Sequence, residues 1–291
     1  MAKAKALDKR RKSIKNIRKI TRTMELVSTA QFRRAMERAV AAASYSKRLA
    51  QLVSDLARAG LKTEHPLLAE RETKRRAALF ILTANRGMCG GYNSSILRSG
   101  LARLDELRRE YDEVELYVSG KRGLSYLRYR KFDITRSFTQ FDHKPSYDEV
   151  LEVANEALNR YRTGELDRVD VAFCEFITLS KQRATTTTLL PLSSLTTDSE
   201  DEARAAIEYE FLPSPASILE EVVPNAFRVQ LFKCFLDAAV SEQIARMMAM
   251  KAATDNADQM ISSLTTTYNR ARQSQITNEI IEVISGASAL Q

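Results

Sequence analysis

The sequence predicts an α/β protein with a long antiparallel coiled coil of N- and C-terminal helices and a central three-layer α/β domain. The first observation is the placement of helix breakers, because neither Gly nor Pro occurs from Met1 to Ala59 or from Asn225 to Ser285. The second is the apolar pattern, which has helical spacing at both ends and continuous apolar runs between them. The two ends therefore predict long helices, and the middle predicts a sheet.

Residues 1–60 are predicted to form the N-terminal helix of the coil. At 1.5 Å per residue such a helix measures about 90 Å, which is too long to be covered by the rest of this chain. Apolar residues at coiled-coil spacing are Leu7, Ile14, Ile17 and Met24, and the same series continues through Ser28, Gln31, Ala35 and Arg38. The polar continuation predicts that part of the coil packs against another protein, and a simple coiled-coil spacer is the alternative.

Residues 225–291 are predicted to form the C-terminal helix of the coil. Its apolar residues alternate at spacings of three and four, interrupted by Gln243 and Thr254. The series comprises Leu236, Val240, Met247, Met250, Ala257, Ile261, Leu264, Tyr268 and Ala271.

The central domain is predicted over residues 75–192. Strands alternating with helices predict a mostly parallel, Rossmann-like sheet, and the direction of the last strand is left open. The predicted strands are 77–84, 114–120, 169–178 and 183–192, with 131–138 as a further short strand. Residues 193–224 are acidic at first and contain three prolines, so they are predicted to be a connecting excursion that returns the chain to the coil.

A glycine-rich segment, "LTANRGMCGGYNSSIL" at residues 82–97, stands between a predicted strand and a predicted helix. Backbone N–H groups near Gly87, Gly90 and Gly91 could approach a phosphate there. A P-loop requires a Lys after the last glycine, and a dinucleotide site requires G-x-G-x-x-G; this segment has neither. We therefore predict a tight turn with positive φ angles rather than a nucleotide site.

The charge distribution predicts an acidic partner. The 291-residue chain has a net charge of +8, and residues 1–38 contain thirteen Lys and Arg against Asp8, Glu25 and Glu37. Nucleic acid, anionic lipid and an acidic protein surface all carry the negative charge that would complement this cationic segment.

Other patterns favour a cytosolic, non-enzymatic chain. There is no apolar run of about 20 residues and no signal-peptide apolar region. Cys89, Cys174 and Cys234 are widely spaced, which predicts buried, reduced thiols, and His65 and His143 are expected in exposed loops. No catalytic constellation is recognisable, so we expect neither a cofactor nor a metal.

Three stretches together resemble one family, the gamma subunit of bacterial F-type rotary ATP synthase. They are "IRKITRTMELVSTAQFRRA" near the start, "RGMCGGYN" in the middle, and the long segment from "SEQIARMMAMKAATDNADQM" to "SGASAL" at the end. The resemblance spans the whole chain. Asn85 stands where the family usually has Asp, and Gln31-Phe32 replaces a run of small residues that contains Lys.

The resemblance implies a central rotor shaft that couples proton flow through the membrane c-ring to ATP synthesis. Its coil would insert into the hexamer of alpha and beta subunits, and its base would bind the epsilon subunit and the c-ring. ATP chemistry would occur on the hexamer, so this chain would be a non-catalytic subunit. It would lie peripherally on the cytoplasmic side of the bacterial inner membrane, with no direct insertion and no nucleic acid.

The resemblance also implies contact residues. A cationic face facing acidic loops of beta subunits would consist of Arg10, Arg11, Lys19, Arg22, Arg33 and Arg34, with Met24 and Arg246 at coupling positions. A polar set gripping a catch loop of the hexamer would consist of Arg272, Gln273, Thr277 and Glu279. A tip turning in a hydrophobic sleeve would consist of Ile284, Ala287, Ala289 and Leu290. Tyr209 and Phe211 would face the c-ring and epsilon.

The alternative hypothesis is a basic coiled-coil protein that binds nucleic acid. Such proteins usually add aromatic side chains or Gly-rich basic loops for base stacking, whereas Phe32 is the only aromatic residue among residues 1–38.

Overall fold

The computed structural model describes residues 2–58, 66–69, 71, 73–141, 144–192 and 215–288. The chain divides into two compact units. The coil unit comprises Met1–Thr29 and Arg246–Gln291, and the sheet unit comprises Ala30–Ala245.

Five helices and five strands make up the described chain. In order they are α1 (Ala2–Arg58), β1 (Arg76–Leu82), α2 (Tyr92–Glu110), β2 (Glu113–Ser119), α3 (Lys121–Tyr129), β3 (Arg136–Phe138), α4 (Tyr147–Arg162), β4 (Arg168–Thr178), β5 (Lys181–Leu190) and α5 (Pro215–Ser288).

The sheet has the strand order β3-β2-β1-β4-β5. The first four strands are parallel, with Phe80 opposite both Tyr117 and Val171. The last strand forms an antiparallel hairpin with β4. The predicted mostly parallel sheet is therefore confirmed, and β5 is its differently directed strand.

Helices cover both faces of the sheet, giving the predicted three layers. One face packs against α2 and α3 through a core that includes Ile96, Leu104 and Leu127. The other packs against α4 and the first half of α5, where Tyr161 and Phe227 are fully buried. Buried apolar surface on both faces is what produces the near-continuous apolar strands in the sequence.

The last helix begins ten residues earlier than predicted, at Pro215 instead of Asn225, and it contains Pro224. An interior proline removes one helical hydrogen bond and normally favours a break. Here Leu219, Val223 and Phe227 are at most 2% exposed. Burial of these apolar side chains offsets the free-energy cost of a proline inside a helix. The final part of the segment that was predicted to be a connecting excursion is therefore helical. The earlier part, residues 193–214, lies outside the described residues.

Within the sheet unit, α1 and α5 pack directly against each other. Their contact consists of Ala35, Ala39, Leu236, Val240 and Ile244, all buried. Small alanines on α1 allow the larger side chains of α5 to fill the interface.

Candidate interaction surfaces of the long helices

Three contacts join α1 and α5 in the coil unit. They are a hydrogen bond from Thr254 to Thr21 (2.8 Å), an ion pair between Arg18 and Asp258 (2.9 Å) and the Arg11 guanidinium 4.8 Å from the centre of the Tyr268 ring. Residue numbers fall on α5 as they rise on α1. The two helices are therefore antiparallel, as the sequence predicted.

The buried seam of α1 differs in part from the predicted one. Ser28 is 1% exposed and Thr21 is 8% exposed, so both lie in the seam, seven residues apart. Ile17, which was predicted in the seam, is 47% exposed, and that prediction is wrong. Positions 14, 21 and 28 are seven residues apart and form one row of the seam, and Thr21 belongs to this row although it is polar.

The predicted cationic face of α1 is only partly free in the described chain. Arg10, Lys19, Arg33 and Arg34 are exposed. Arg22 lies 2.9 Å from Glu25 on the same helix. Arg11 pairs with Asp8 and covers the Tyr268 ring, so it contributes to the helix pairing.

The two predicted coupling positions differ in exposure. Met24 is half-buried, whereas Arg246 is only 3% exposed. A buried guanidinium is costly unless polar groups around it compensate its charge. Polar groups of the protein therefore surround the Arg246 guanidinium, and little of the side chain is available to a partner.

The four residues of the predicted catch-loop set, Arg272, Gln273, Thr277 and Glu279, are all exposed on α5. The Thr277 hydroxyl donates to the Gln273 carbonyl at 3.0 Å, and the Gln275 amide donates to Glu279 at 2.8 Å. Gln273 and Thr277 are one turn apart, so they lie side by side on one face of the helix.

The end of α5 is exposed and apolar. Ile276, Ile280, Ile281, Val283 and Ile284 are between 46% and 72% exposed. Of the other predicted tip residues, Ala287 lies within the described helix, while Ala289 and Leu290 lie outside the described residues. Tyr209 and Phe211 also lie outside them.

Apolar exposure recurs along the coil unit. Ile17, Ile20, Leu26 and Val27 on α1 are 45% to 61% exposed, and Met248 and Met260 on α5 are 57% and 42% exposed. Monomeric proteins rarely expose large contiguous apolar surfaces, and such surfaces mark interaction sites. These exposed apolar side chains mark the coil unit as a candidate contact surface for another protein.

The glycine-rich segment forms the turn between β1 and α2. Positive φ angles occur at Gly90 (56°) and, unexpectedly, at Met88 (62°). This turn stands at the carboxyl end of β1, beside the point where strand order reverses, which is where ligands bind in many such sheets. Here the Tyr92 hydroxyl donates to the Ala238 carbonyl of α5 at 2.9 Å. A helix of the same chain thus occupies this end of the sheet.

A group of buried polar residues on α5 was not predicted from the sequence. Asp237, Ser241, Glu242 and Gln243 are at most 6% exposed. The sequence pattern singled out only Gln243, as a break in the apolar series. Asp237, Ser241 and Glu242 also lie between the predicted seam residues Leu236 and Met247, and this clustering of polar residues was the available signal of a buried polar group.

Asp237 of this group has an altered acidity. Burial raises its pKa to about 6, Lys233 opposes the shift, and Glu175 of β4 adds to it. The Lys233 ammonium is 3.8 Å from the Asp237 carboxylate, which is too distant for a short ion pair. The carboxylate is therefore incompletely compensated.

The chain matches a sequence model described as ATP synthase over residues 3–290. It is 54% identical over 297 residues to the ATP synthase gamma chain of Rhodopirellula baltica, with both chains covered in full. It is 38% identical to the ATP synthase gamma chain of Leptospira biflexa, again over the whole of both. The chain belongs to the ATP synthase gamma chain family.

The fold of this gamma chain family member is also that of solved relatives. A chain of the Euglena gracilis mitochondrial ATP synthase, solved as OSCP/F1/c-ring, superposes with a TM-score of 0.66. The match has 17% identity and covers 99% of this chain and 95% of the other. A central stalk chain from Tetrahymena thermophila gives a TM-score of 0.57, at 18% identity and over 80% of this chain and 99% of that one.

Two further properties concern only the described residues of this gamma chain. No helix among them combines the length and the apolar character that a bilayer span requires. No group of three or more His, Cys, Asp or Glu side chains among them could hold a metal ion. None of the three cysteines forms a disulfide bond, and all three are buried, as predicted.

Proposed function

We propose that this gamma chain is the central rotating shaft of an F-type ATP synthase, coupling proton flow through a c-ring to ATP synthesis on a hexamer of alpha and beta subunits. The observation that carries the proposal is the exposed apolar surface of the coil unit, which includes Ile20, Leu26 and Val283. A shaft inside a protein ring would cover this surface. A free coiled coil would leave it in water.

The mechanism requires asymmetry at the axis of the hexamer. Equivalent catalytic sites hold different affinities only if each meets a different face of the shaft. A face must also bind the open and closed forms of a site with different free energies, because equal contacts shift no equilibrium. The two helices present such unlike faces, because α1 carries exposed cations such as Lys19 and the end of α5 carries exposed apolar side chains such as Ile280 and Val283.

The cationic contacts suit a sliding surface. Arg10, Lys19, Arg33 and Arg34 extend into solvent and would meet acidic loops of the beta subunits. Exposed ion pairs are individually worth about 1 kcal/mol or less and are screened by salt, so they break easily as the shaft turns. Arg22 would exchange Glu25 for such a loop, and Arg11 would act by holding Tyr268.

Three further sets of residues would contact or support the hexamer. Gln273 and Thr277, with Arg272 and Glu279, would bind the catch loop through their exposed polar groups. Met24 and Arg246 would support the shaft at the level where the hexamer changes conformation. The apolar residues around Ile284, with Ala287, Ala289 and Leu290, would turn in a hydrophobic sleeve.

The chain would also bind the epsilon subunit and the c-ring, with Tyr209 and Phe211 in these contacts. The chain would then lie peripherally at the cytoplasmic side of the bacterial inner membrane, held there by protein contacts. ATP hydrolysis and synthesis would occur on the neighbouring subunits. The nucleic-acid alternative has no support from the family to which the chain belongs.

Assembly tests this proposal most simply. Alpha and beta subunits of the same organism are mixed with the full chain, and the complex is measured by native mass spectrometry. We expect one copy of the chain in each hexamer. Replacing Leu26 and Val27 with Ser should weaken incorporation, while a matched exchange at Val40 and Leu52, which are exposed in the sheet unit, should not. Failure of the unmodified chain to enter the hexamer would contradict the shaft role.

A further inference from the structure

Helix α3 carries a basic surface that the shaft contacts do not use. Residues 121–131, "KRGLSYLRYRK", contain five cations and no acidic residue. The cations are exposed, and the salt bridges and side-chain hydrogen bonds found in the described chain involve none of them. The basic surface consists of Lys121, Arg122, Arg128, Arg130 and Lys131.

The inner face of α3 fixes the direction of this surface. Gly123 donates its backbone N–H to the Thr83 hydroxyl at 2.9 Å, and Leu127 is fully buried. Gly120 has a φ of 95°, and a Cβ there would lie 2.0 Å from the Thr83 carbonyl oxygen. The helix is thus pinned to the sheet, and Arg128, Arg130 and Lys131 are exposed. The Arg122 guanidinium lies against Gly87 of the glycine-rich turn.

Two tyrosines lie among the cations. Tyr129 is 84% exposed and Tyr126 is 39% exposed. Residues 122, 126 and 129 are spaced by four and three, so Arg122 and both rings share one face. Tyrosines beside Lys and Arg are typical of surfaces at the headgroup level of a membrane, where the ring is partly immersed and the hydroxyl stays hydrated.

The turn after α3 keeps a charge at a strained position. The Phe132 N–H donates to the Leu127 carbonyl and the Lys131 N–H to the Arg128 carbonyl, both at 3.0 Å. This is a Schellman turn, and Lys131 occupies its left-handed position with a φ of 59°. Glycine adopts this backbone conformation with the least strain, so the stability of the fold alone does not explain why a lysine occupies position 131.

We propose that the basic surface of α3 binds the headgroups of anionic lipids. Clusters of four to eight Lys and Arg on an amphipathic helix bind acidic membranes, and each cation strengthens binding about fivefold. The surface is the convex outer side of a nine-residue helix. A flat sheet of phosphates fits it better than a single nucleic-acid strand, which binds in a charged groove.

Vesicle flotation tests the proposal with the full chain. Phosphatidylcholine vesicles with and without 30% phosphatidylglycerol, a proportion chosen as roughly that of an acidic membrane, are floated at low salt. We expect binding only to the acidic vesicles. Arg128→Gln, Arg130→Gln and Lys131→Gln together should lower the partition coefficient about 100-fold.

A matched variant controls for net charge. Lys74, Arg75 and Arg109 are exposed cations elsewhere on the sheet unit, and their replacement by Gln removes the same three charges. This control should bind acidic vesicles nearly as the unmodified chain does, and Tyr129→Ser should reduce binding at unchanged charge. Equal losses in the two triple variants would overturn the proposal, because binding would then follow net charge.

Two other results would also overturn it. One is the absence of binding to the acidic vesicles. The other is binding to a single-stranded polyuridine through the same three cations while vesicles are left unbound, which would assign the surface to nucleic acid. Both results leave assembly with the hexamer untouched, so they are distinct from failure of the shaft role.

Discussion

The hydroxyl of Thr254 on α5 donates a hydrogen bond to the hydroxyl of Thr21 on α1 across the buried seam of the coil unit, at 2.8 Å. The Thr21 proton in turn faces the Arg18 carbonyl at 3.1 Å. Both side chains are only 8% exposed. The Thr254 hydroxyl also lies 2.9 Å from the Met250 carbonyl of its own helix. The bond to Thr21 forms only when the two positions are level, so it favours one register of the helices.

A double-mutant cycle tests this pairing. Thr254→Val alone leaves the Thr21 oxygen without its donor, and we expect a loss of about 1 kcal/mol in the free energy of unfolding. Replacing both threonines with Val should cost less than the sum of the two single changes, because the apolar pair fills the same space. Denaturant unfolding measures all four proteins. Strictly additive losses would show that the hydroxyls do not interact.

The buried carboxylate of Asp237 predicts a pH-dependent stability. Its pKa in the folded chain is about 6, above its ordinary value of 3.8, so the folded state binds the proton more tightly. Tighter proton binding in the folded state raises the free energy of unfolding. This stabilisation is complete below pH 4 and is lost as the pH rises through 6. Asp237→Asn should therefore stabilise the chain by about 1 to 3 kcal/mol at pH 8 and much less at pH 4.

Urea unfolding at several pH values measures this difference. The exposed residue Asp133 provides the control, since Asp133→Asn should change stability by no more than about 0.5 kcal/mol throughout. An Asp237→Asn variant that is destabilised at pH 8 would contradict the assignment and show that the charged form makes essential contacts.

The residue that departs from the usual pattern, Asn85, has a specific role. Its amide nitrogen donates to the Thr139 and Phe141 carbonyls, both at 3.1 Å, and its oxygen accepts from the Lys121 N–H at 3.1 Å. Aspartate cannot donate when ionised and would face two carbonyl oxygens. Asn85→Asp should lower stability by about 1 to 2 kcal/mol at pH 7.

The loss should shrink in acid, because a protonated carboxyl regains one donor. Thermal unfolding at pH 7 and pH 3.5, each compared with the unmodified chain, measures the effect. A constant loss at both pH values would indicate a steric cause instead of the missing donors.

The exposed pair Gln273 and Thr277 separates a functional role from a structural one. Combining Gln273→Ala with Thr277→Val removes polar groups that face solvent, so the melting temperature of the subunit should change by less than about 2 °C. Coupled ATP synthesis in reconstituted vesicles should fall several-fold. Proportional losses in both measurements would assign the two residues to stability alone.

Most of the fold was predictable because it follows from local pattern. Glycine and proline placement predicted both long helices, and the apolar runs around Phe80, Leu116 and Val171 predicted three of the central strands. The Thr run at 185–188 lies in β5, where β-branched residues are favoured. Of the predicted short strand at 131–138, only Arg136–Phe138 pairs, beside the edge of β2.

The remaining features depend on tertiary packing, which the pattern does not record. Pro224 lies within a helix because its neighbours Val223 and Phe227 are fully buried. Thr21 lies in the seam although it is polar, and its hydroxyl has a partner on the other helix. The contact residues carried over by resemblance stay predictions, since their binding partners lie on other chains.

The most direct test of the shaft role is ATP hydrolysis by matched alpha and beta subunits, measured without this chain, with it, and with a chain lacking residues 273–291. We predict that the full chain gives a stable hexamer with cooperative multi-site turnover and that the shortened chain loses part of this cooperativity. Turnover and assembly that are the same with and without the full chain would contradict the proposed function.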